Sequence, residues 1–516
     1  MSGLPPRRAA RDNGPMKLAA SWIALVVATG ASLAPARAGG GAEPARAGGA
    51  AAHVAPAAQA LSLPDVLAVA VRQSPELERA ALDVDVARGR LDRAEGLEDV
   101  TIGVTAGYDR TRWDGATPEV TEARTATVSI RRALPTGGSI AVGASGAQTT
   151  DTPGATIPPA VSTVTLSLVQ PLLRGLGTTA AREARHAASY ELDAAARAGE
   201  ARARDLVRAI VDGYWQVALA RRQLEVRQAS LALAQQQLAY TEGAIRTGKL
   251  AKSEQLAVEQ VIALRRQDIL AAELEVWERS LALRQLAGLE ISADAIEIAT
   301  TPLPAIPDAA IDLRAQVALA IEHSADLASL EAVRRAAQVR LDAARNRLLP
   351  QLDLAITGGP AGASTSLSGA VDKLAAGGGY TFGASVTLGY AIGRNDEHGL
   401  VTEARARAWR AKVDTRDARA QVILETARAV QLARTSLESV RLGERAIELA
   451  TANIEAEQRK FEDRKSTNFE VLRRQDELEQ AKLRHAVAIV DHLAARARLD
   501  ELTGTILDKY KIKLRR

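Results

Sequence analysis

Residues 210–250 read IVDGYWQVALARRQLEVRQASLALAQQQLAYTEGAIRTGKL. Apolar residues recur every seventh position, at Ile210, Val217, Leu224, Leu231, Leu238 and Ile245. A second stripe runs two positions behind, at Leu219, Val226, Leu233 and Tyr240. Two steps along a helix turn it by about 200°, so the stripes lie on nearly opposite sides. A helix with one stripe packs against one core. Two narrow, opposed stripes pack against a neighbour on each side, like a stave in a cylinder, and a sustained heptad makes such seams supercoil. The surrounding run, Ala180 to Leu289, has no proline. Its part from Ala180 to Arg246 spans roughly 100 Å as a helix, several times a membrane core. The break falls at Thr247-Gly248, and a return helix is predicted over Leu250 to Leu286.

Upstream of the long helix the period changes to two. Val100, Ile102, Val104, Ala106 and Tyr108 alternate with Thr101, Gly103, Thr105 and Gly107. Thr125 to Arg132, Ser139 to Gln148 and Val164 to Leu168 follow the same rule. Pro135-Thr136-Gly137-Gly138 is a turn, and Thr149 to Pro159 a longer loop. One face of each strand is apolar, and the other is Thr, Ser and Gly with Arg131. Alternating long and short connections with that pattern fit a membrane barrel, apolar outside and wet inside. Ile102, Val104, Val128, Ile130, Val164, Leu166, Val386 and Leu388 are therefore expected to meet lipid. Before the strands, Ser62 caps a helix that runs from about Pro64 to Glu95, with an irregularity at Ser74-Pro75.

The chain then repeats itself. Gln73-Ser74-Pro75-Glu76-Leu77 is echoed by His323-Ser324-Ala325-Asp326-Leu327, and Arg90-Leu91-Asp92 by Arg340-Leu341-Asp342. Both echoes are offset by 250 residues, which marks an internal repeat. Strands at Leu352 to Ile356 and Phe382 to Tyr390 flank a Gly/Ser/Ala loop from Gly358 to about Gly379. A second long helix, about Leu400 to Asp463, carries stripes at Val440, Ile447, Ile454 and Phe461 and at Leu442, Leu449 and Ala456. After a break at Arg464 to Thr467, a return helix runs from Asn468 to Leu502. Two repeats leave open edges on strands and helices alike, which implies a closed ring of several chains.

The expected divisions follow. Residues 1–38 are a signal peptide: a basic region ending at Lys17, an apolar run from Leu18 to Leu33, and Ala36-Arg37-Ala38 for cleavage. Residues 39–60 form a Gly/Ala/Pro-rich disordered leader. Repeat 1 covers 61–290, with barrel strands at about 100–170 and the helical pair at 180–289. A linker, 291–311, holds Pro302, Pro304 and Pro307. Repeat 2 covers 312–505, with strands at about 351–390 and the helical pair at 400–502, and 506–516 is a basic tail.

The pI near 9.3 is not a nucleic-acid signal. Residues 1–38 hold five basic groups and one acid, which leaves 61 residues of each sign in the remainder. The absence of cysteine excludes disulfides, thiol chemistry and a lipid-modified N-terminal Cys. Scarce aromatics and abundant Ala suit close helix contact. No phosphate loop, G-x-S-x-G elbow or H-E-x-x-H is present. His485 and His492 lie seven apart on one helix face, but two Met and no Cys argue against a soft-ligand metal site. No metal, cofactor or catalytic residue is expected, and the protein reads as no enzyme.

The two helix breaks carry their own signals. Gly248 can adopt backbone angles closed to other residues and terminate the long helix. Ser253 and Glu254 suit the positive end of the return helix. Thr467 and Glu470 are spaced as a capping box.

This ordering, with the export signal, resembles the outer membrane factor family, the TolC-like exit ducts of efflux pumps and type I secretion. The likeness covers about residues 61–505. It rests on the strand-to-helix junction Leu166 to Leu172, the 250-residue duplication, and two tip motifs. These are Thr247-Gly248-Lys249-Leu250-Ala251-Lys252-Ser253-Glu254 and Lys465-Ser466-Thr467-Asn468-Phe469-Glu470-Val471-Leu472. The resemblance implies an α+β membrane protein. Its fold is a trimeric outer-membrane β-barrel continuous with a long periplasmic α-helical barrel, built from two tandem repeats per chain. It implies a passive duct whose partners are a periplasmic adaptor (membrane fusion) protein and an inner-membrane transporter. Docking and gating then fall on Thr247, Gly248, Leu250, Ser253, Glu254, Arg464, Ser466, Thr467 and Glu470. Two features depart from the family pattern. Arg464 stands where the first repeat has Gly248. Repeat 1 has four strands rather than two, giving about 18 per trimer instead of 12, unless the hairpin tipped by Pro135 to Gly138 lies outside the wall. Two rival readings are a periplasmic adaptor and a structural coiled-coil protein of the cell envelope. No lipoyl-like β module lies between Gly243 and Leu250, which counts against the first. Strand blocks at matching places in both repeats count against the second.

Overall fold

The computed structural model describes residues 61–112, 114, 120–149, 160–248, 250–291, 296–308, 310–463 and 465–512. The signal and leader expected over 1–60 lie outside the described residues.

Repeat 1 opens with α1 (Leu63–Gln73) and α2 (Pro75–Glu95). The irregularity at Ser74 is a full break: its hydroxyl accepts from Glu76 N and starts α2 with Pro75 in the first turn. Repeat 2 copies the device 250 residues on. There α6 (Leu313–His323) ends and α7 (Ala325–Asn346) begins at Ser324, whose hydroxyl accepts from Leu327 N.

Four strands follow α2: β1 (Thr101–Arg112), β2 (Val120–Ala133), β3 (Ser139–Thr149) and β4 (Ala160–Pro171). After α7 come β5 (Gln351–Ser364) and β6 (Tyr380–Gly389). All six form one antiparallel meander in chain order, β1 to β6. The hairpin tipped by Pro135 to Gly138 therefore lies within the sheet, since β2 pairs with β1 and β3 with β4. Its turn is tied to the strand–helix junction, with Gly177 N donating to Thr136 O at 3.1 Å and the Thr136 hydroxyl to Gln170 Oε1 at 2.7 Å.

The expected loop from Gly358 to Gly379 is corrected on two counts. Its first residues continue β5, and its middle is a helix, α8 (Leu367–Ala375), capped by the Ser366 hydroxyl on Gly369 N. The Gly/Ser/Ala composition hid it. This helix lies on the sheet: Ser162 Oγ donates to Ala370 O at 2.7 Å. A Cβ at Gly362 would stand 2.1 Å from that carbonyl oxygen, so only glycine allows the approach.

A short α3 (Thr178–Ala181) leads into α4 (Glu183–Arg246), which returns as α5 (Ser253–Ala287). In repeat 2, α9 (Asn395–Glu462) returns as α10 (Asn468–Leu502), and α11 (Ile506–Lys509) follows. At about 1.5 Å per residue, α4 and α9 are each roughly 100 Å long. The sheet-proximal half packs in the order α2–α4–α7–α9, and the far half as α5–α4–α10–α9. Each half thus presents four helices side by side, and α4 has a neighbour on both flanks. The seam needs a correction. As far as Val226 the stripes hold, with Val217, Leu219 and Val226 buried; beyond it the buried α4 positions are Ser230, Ala234, Gln237 and Thr241, lying between the stripes led by Leu231 and Leu233. At about 100° per residue, that line bisects the two stripes.

The largest apolar core sits midway along the helices. Tyr214, fully buried, hydrogen-bonds Leu61 O and Thr301 N at 3.0 and 2.9 Å, fastening Thr301 of the linker and the residues just before α1 to α4. Leu67, Ile210, Leu283, Ile298 and Ile506 pack around it.

Candidate functional site

At the first break, Gly248 takes φ +72°, the left-handed conformation that ends a helix. Its N–H donates to Ile245 O, and the Thr247 hydroxyl donates to Ala244 O at 3.0 Å, so the last carbonyls of α4 are satisfied. Leu250 is half-buried, Ser253 is the exposed first residue of α5, and Glu254 lies in its first turn.

At the second break, the Thr467 hydroxyl accepts from Glu470 N at 3.4 Å and caps α10. The expected capping box is only half formed. The Glu470 carboxylate turns to Arg473 instead, 4.0 Å away, because the charged partner one turn on is within reach. Ser466 Oγ donates to Glu457 Oε1 at 2.5 Å, and Lys460 Nζ to Glu457 Oε2 at 3.1 Å. Those two donors hold the Glu457 carboxyl below its usual range. Arg464 lies outside the described residues.

The structure joins the two breaks through a residue that the sequence reading quoted in a motif without assigning a role. Asn468 is 1% exposed. Its Oδ1 accepts from Gln237 Nε2 at 2.7 Å and Thr241 Oγ1 at 3.1 Å, and its Nδ2 donates to Glu254 Oε2 at 3.0 Å. One side chain thus bridges α4, α5 and α10. Ala234, Val258, Ile262 and Leu472 pack as an apolar layer across the same three helices. A second polar rung centres on Arg265, 5% exposed, which donates to Ser230 O at 2.6 Å and Asp476 Oδ1 at 2.7 Å. The signal for this latch was the spacing of Ser230, Ala234, Gln237 and Thr241, four-three-four: a heptad seam made of small and polar residues.

The eight apolar strand residues fall on one face of the sheet. Ile102 pairs with Ile130, Val104 with Val128, Val142 with Leu166, Leu354 with Val386 and Leu352 with Leu388. Of the eight, all are exposed except Val164, which is half-buried, as are their partners Leu352 and Leu354. The other face reads Gly103 with Ser129, Thr105 with Thr127, and Gly143 with Thr165. The short helix α8 lies on the apolar face, since the Cβ directions of Gly146 and Gly362 point into it.

Midway along the helices, Glu501 is buried between α4 and α10. Arg498 NH1 and Arg208 Nε each lie 2.6 Å from its carboxylate. Burial pushes the carboxyl up to about 7, a hydrogen bond with Asp205 adds to this, and the two arginines oppose it. The unfolded chain ionises this group near 4.5. The protonated group's contribution is therefore fully present below about pH 4.5 and is lost as pH rises towards 7, on the order of 3 kcal/mol in all. Glu501→Gln is expected to raise the thermal midpoint near pH 8 and leave it nearly unchanged near pH 4. Identical pH profiles of melting for the two proteins would sink this assignment.

The histidines do not converge. His492 is buried, with Nδ1 3.0 Å from Ala433 O, whereas His485 faces Glu444 at 3.8 Å. Among the described residues no cluster of metal-ligating side chains forms, and no helix is long and apolar enough to cross a membrane.

Comparison with known proteins gives a consistent result. The family described as outer membrane efflux protein matches residues 66–289 and 317–505. The fold is similar to VceC from Vibrio cholerae, an outer membrane protein, with TM-score 0.63 and 18% identity over 86% of this chain and 96% of that one. It is similar to the Neisseria gonorrhoeae MtrE outer membrane channel in its open state, with TM-score 0.64 and 16% identity over 86% and 89% of the two chains. The Campylobacter jejuni CmeC outer membrane channel gives TM-score 0.64 and 14% identity over 86% and 85%. No curated protein matches in sequence.

Proposed function

The chain belongs to the outer membrane efflux protein family, and from that premise we propose that three copies form the exit duct of a tripartite efflux pump or a type I secretion system. The protein resides in the outer membrane and reaches into the periplasm. The duct conducts passively from a periplasmic adaptor and an inner-membrane transporter to the outside, with no substrate turnover. Residues 1–38 direct export and are removed.

The observation that carries the reading is the pair of helix breaks latched by Asn468 at the end of each roughly 100 Å helix. A wall that long needs a movable end to open, and here the chain reverses direction twice within one small region. Trimer closure is supported by apolar residues left uncovered on both flanks of the single chain. Leu442 and Leu449 of α9 are 63% and 50% exposed, and Leu256 and Leu270 of α5 are 67% and 66% exposed. These flank the two ends of the far-half order, where a neighbouring copy would seat.

Thr247, Gly248, Leu250, Ser253, Glu254, Arg464, Ser466, Thr467 and Glu470 form the docking and gating rim in this reading. Val in place of Gly248 forces a β-branched side chain into left-handed backbone, at about 1–2 kcal/mol, and unwinds the end of α4. Trimers should persist in the outer membrane while export is lost. Normal export by that variant would overturn the role of the turn. Crosslinkers at Lys252 or Lys465 should capture the adaptor in exporting cells, and one at Ala305 should not. The purified protein in planar bilayers should show small, mostly closed conductance. ATP hydrolysis or any substrate turnover by it would falsify the passive duct.

A further inference from the structure

We propose that the outer end of the apolar sheet face binds a lipid bearing phosphate monoesters, held by Arg110 and Arg124. This rests on that face meeting membrane lipid.

The sheet has a near end and a far end. At the near end α2 and α7 enter β1 and β5, and β4 and β6 lead into α3 and α9. The far end carries the β1–β2, β3–β4 and β5–β6 connections. With the helices in the periplasm, the far end lies in the outer leaflet. There the apolar face changes character. On β2 it reads Arg132, Ile130, Val128, Ala126, Arg124 and Glu122 from the near end outward. From Arg132 to Arg124 is about 26 Å along the strand, or roughly 19–22 Å of depth at a tilt of about 35–45°. A barrel's apolar band is about 25 Å tall. Arg132 and Arg124 thus stand at its two borders. The aromatics of the six strands agree on the outer border. Tyr108, Tyr380 and Phe382 all lie on this face toward the far end, and Tyr108 pairs with Arg124.

Two guanidiniums stand together at that border. Arg110 NH1 and Arg124 NH2 each lie 3.8 Å from a carboxylate oxygen of Glu122, in ion-pair range but beyond a hydrogen bond. Their side chains are 61% and 69% exposed, and Arg124 stands 6.0 Å over the Tyr108 ring. Arg112, further out on the same face, pairs with Asp114 at 3.8 Å. Among the described residues the patch sets three arginines against two acids. A phosphate monoester carries a charge of about −1.5 to −2 at pH 7 and three acceptor oxygens, so it can bridge both guanidiniums. A phosphodiester offers less charge and fewer oxygens.

The surface beside the arginines suits acyl chains. α8 covers β3, β4 and β5 near the far end, with Leu367 over Gly146 and Ala370 over Ser162 and Gly362. β1 and β2 stay uncovered at that level. Val104, Ala106, Ala126 and Val128 are exposed there and form an apolar floor on the membrane-centre side of the arginines. Ala126 pairs with Gly146, so Leu367 borders this floor. α8 is one wall of a shallow trough whose outer end is cationic.

The test titrates the full-length protein, purified in neutral detergent, with lipid A, with lipid A stripped of both phosphates, and with phosphatidylglycerol. Binding is read by native mass spectrometry. Lipid A should bind about tenfold tighter than its stripped form. Arg110→Gln with Arg124→Gln should remove that preference, and Arg132→Gln at the inner border should keep it. A preference retained by the double variant, or absent from the natural protein, overturns the inference. Equal binding of phosphatidylglycerol overturns the choice of a monoester, and displacement of lipid A by inorganic phosphate assigns the arginines to the free ion instead. The natural chain has no cysteine, so a polarity-sensitive dye on Val104→Cys reports on the face alone. A dye that reads water in lipid bilayers overturns the lipid-facing surface on which the inference stands, whatever lipid A does.

Discussion

Replacing Leu166 by arginine is expected to block assembly in the outer membrane. Leu166 lies on an inner strand, paired with Val142 and Gly358, and is 51% exposed on the apolar face. An arginine at mid-membrane depth costs about 2–4 kcal/mol per site. Three copies place three such charges at one level, so the effect on the assembled trimer is roughly threefold larger. Val386→Arg on β6 should behave alike. Thr165→Arg, one residue along on the small-polar face, keeps its charge in the wet bore and should assemble normally. The measurement is the yield of trimer from washed outer membranes. Normal yield for Leu166→Arg with loss for Thr165→Arg or Thr387→Arg would mean that the faces are reversed.

Asn468→Leu should open the far end. The leucine leaves the Gln237 amide buried without its acceptor, at about 1–3 kcal/mol, while the Thr241 hydroxyl keeps its bond to Gln237 O at 2.8 Å. Glu254 loses its donor but reaches solvent, so little of the cost falls there. If that free energy holds the closed state, the open fraction rises by about tenfold to a hundredfold. Planar-bilayer recordings should show longer and larger openings from trimers that remain intact on native gels. Arg265→Met attacks the second rung. It removes a buried cation whose partner Asp476 is half exposed, so its effect should be smaller. A double-mutant cycle tells whether the rungs act as one latch or two. Unchanged conductance from intact Asn468→Leu trimers would show that the network is only a structural tie.

Much of this was legible in the sequence because it rests on period. The 250-residue echo returns as two serine breaks, Ser74 and Ser324, each of which caps the helix that follows. The period-two runs gave four strands their faces, since a one-residue slip would have turned Ile102 and Val104 to the other side. Helix ends were legible where backbone geometry demands a residue type, as at Gly248.

Three features were hidden for physical reasons. The α8 segment is short, and its Gly and Ser neighbours read as loop, although Ser366 before it and Gly377 after it are the two caps. Beyond Val226 the buried line of α4 is Ser230, Ala234, Gln237 and Thr241, which no apolar count can find. It is buried because hydrogen bonds across helices satisfy it. Glu470 failed to close its capping box because Arg473 competed for the carboxylate, and a spacing rule cannot weigh two partners.

The junction between β4 and β5 bears on how the molecule is made. Each other strand pair is a hairpin whose ends are close in sequence, apart from β5 with β6, which are separated only by α8. The pairing of Ala160 with Ser364 instead closes a loop of about two hundred residues. Loop closure is costly before the contacts that reward it exist. The four strands of the first repeat can zip within microseconds to milliseconds, yet their β4 edge stays bare until the α4–α5 hairpin, the linker and α7 have come off the ribosome and crossed to the periplasm. During that interval a nascent chain carries an unguarded β4 edge that the finished sheet covers with β5, and it can pair with the wrong copy. Mutations that slow the folding of α4 or α5 should therefore lower yield by aggregation, with little change in the stability of trimers already assembled.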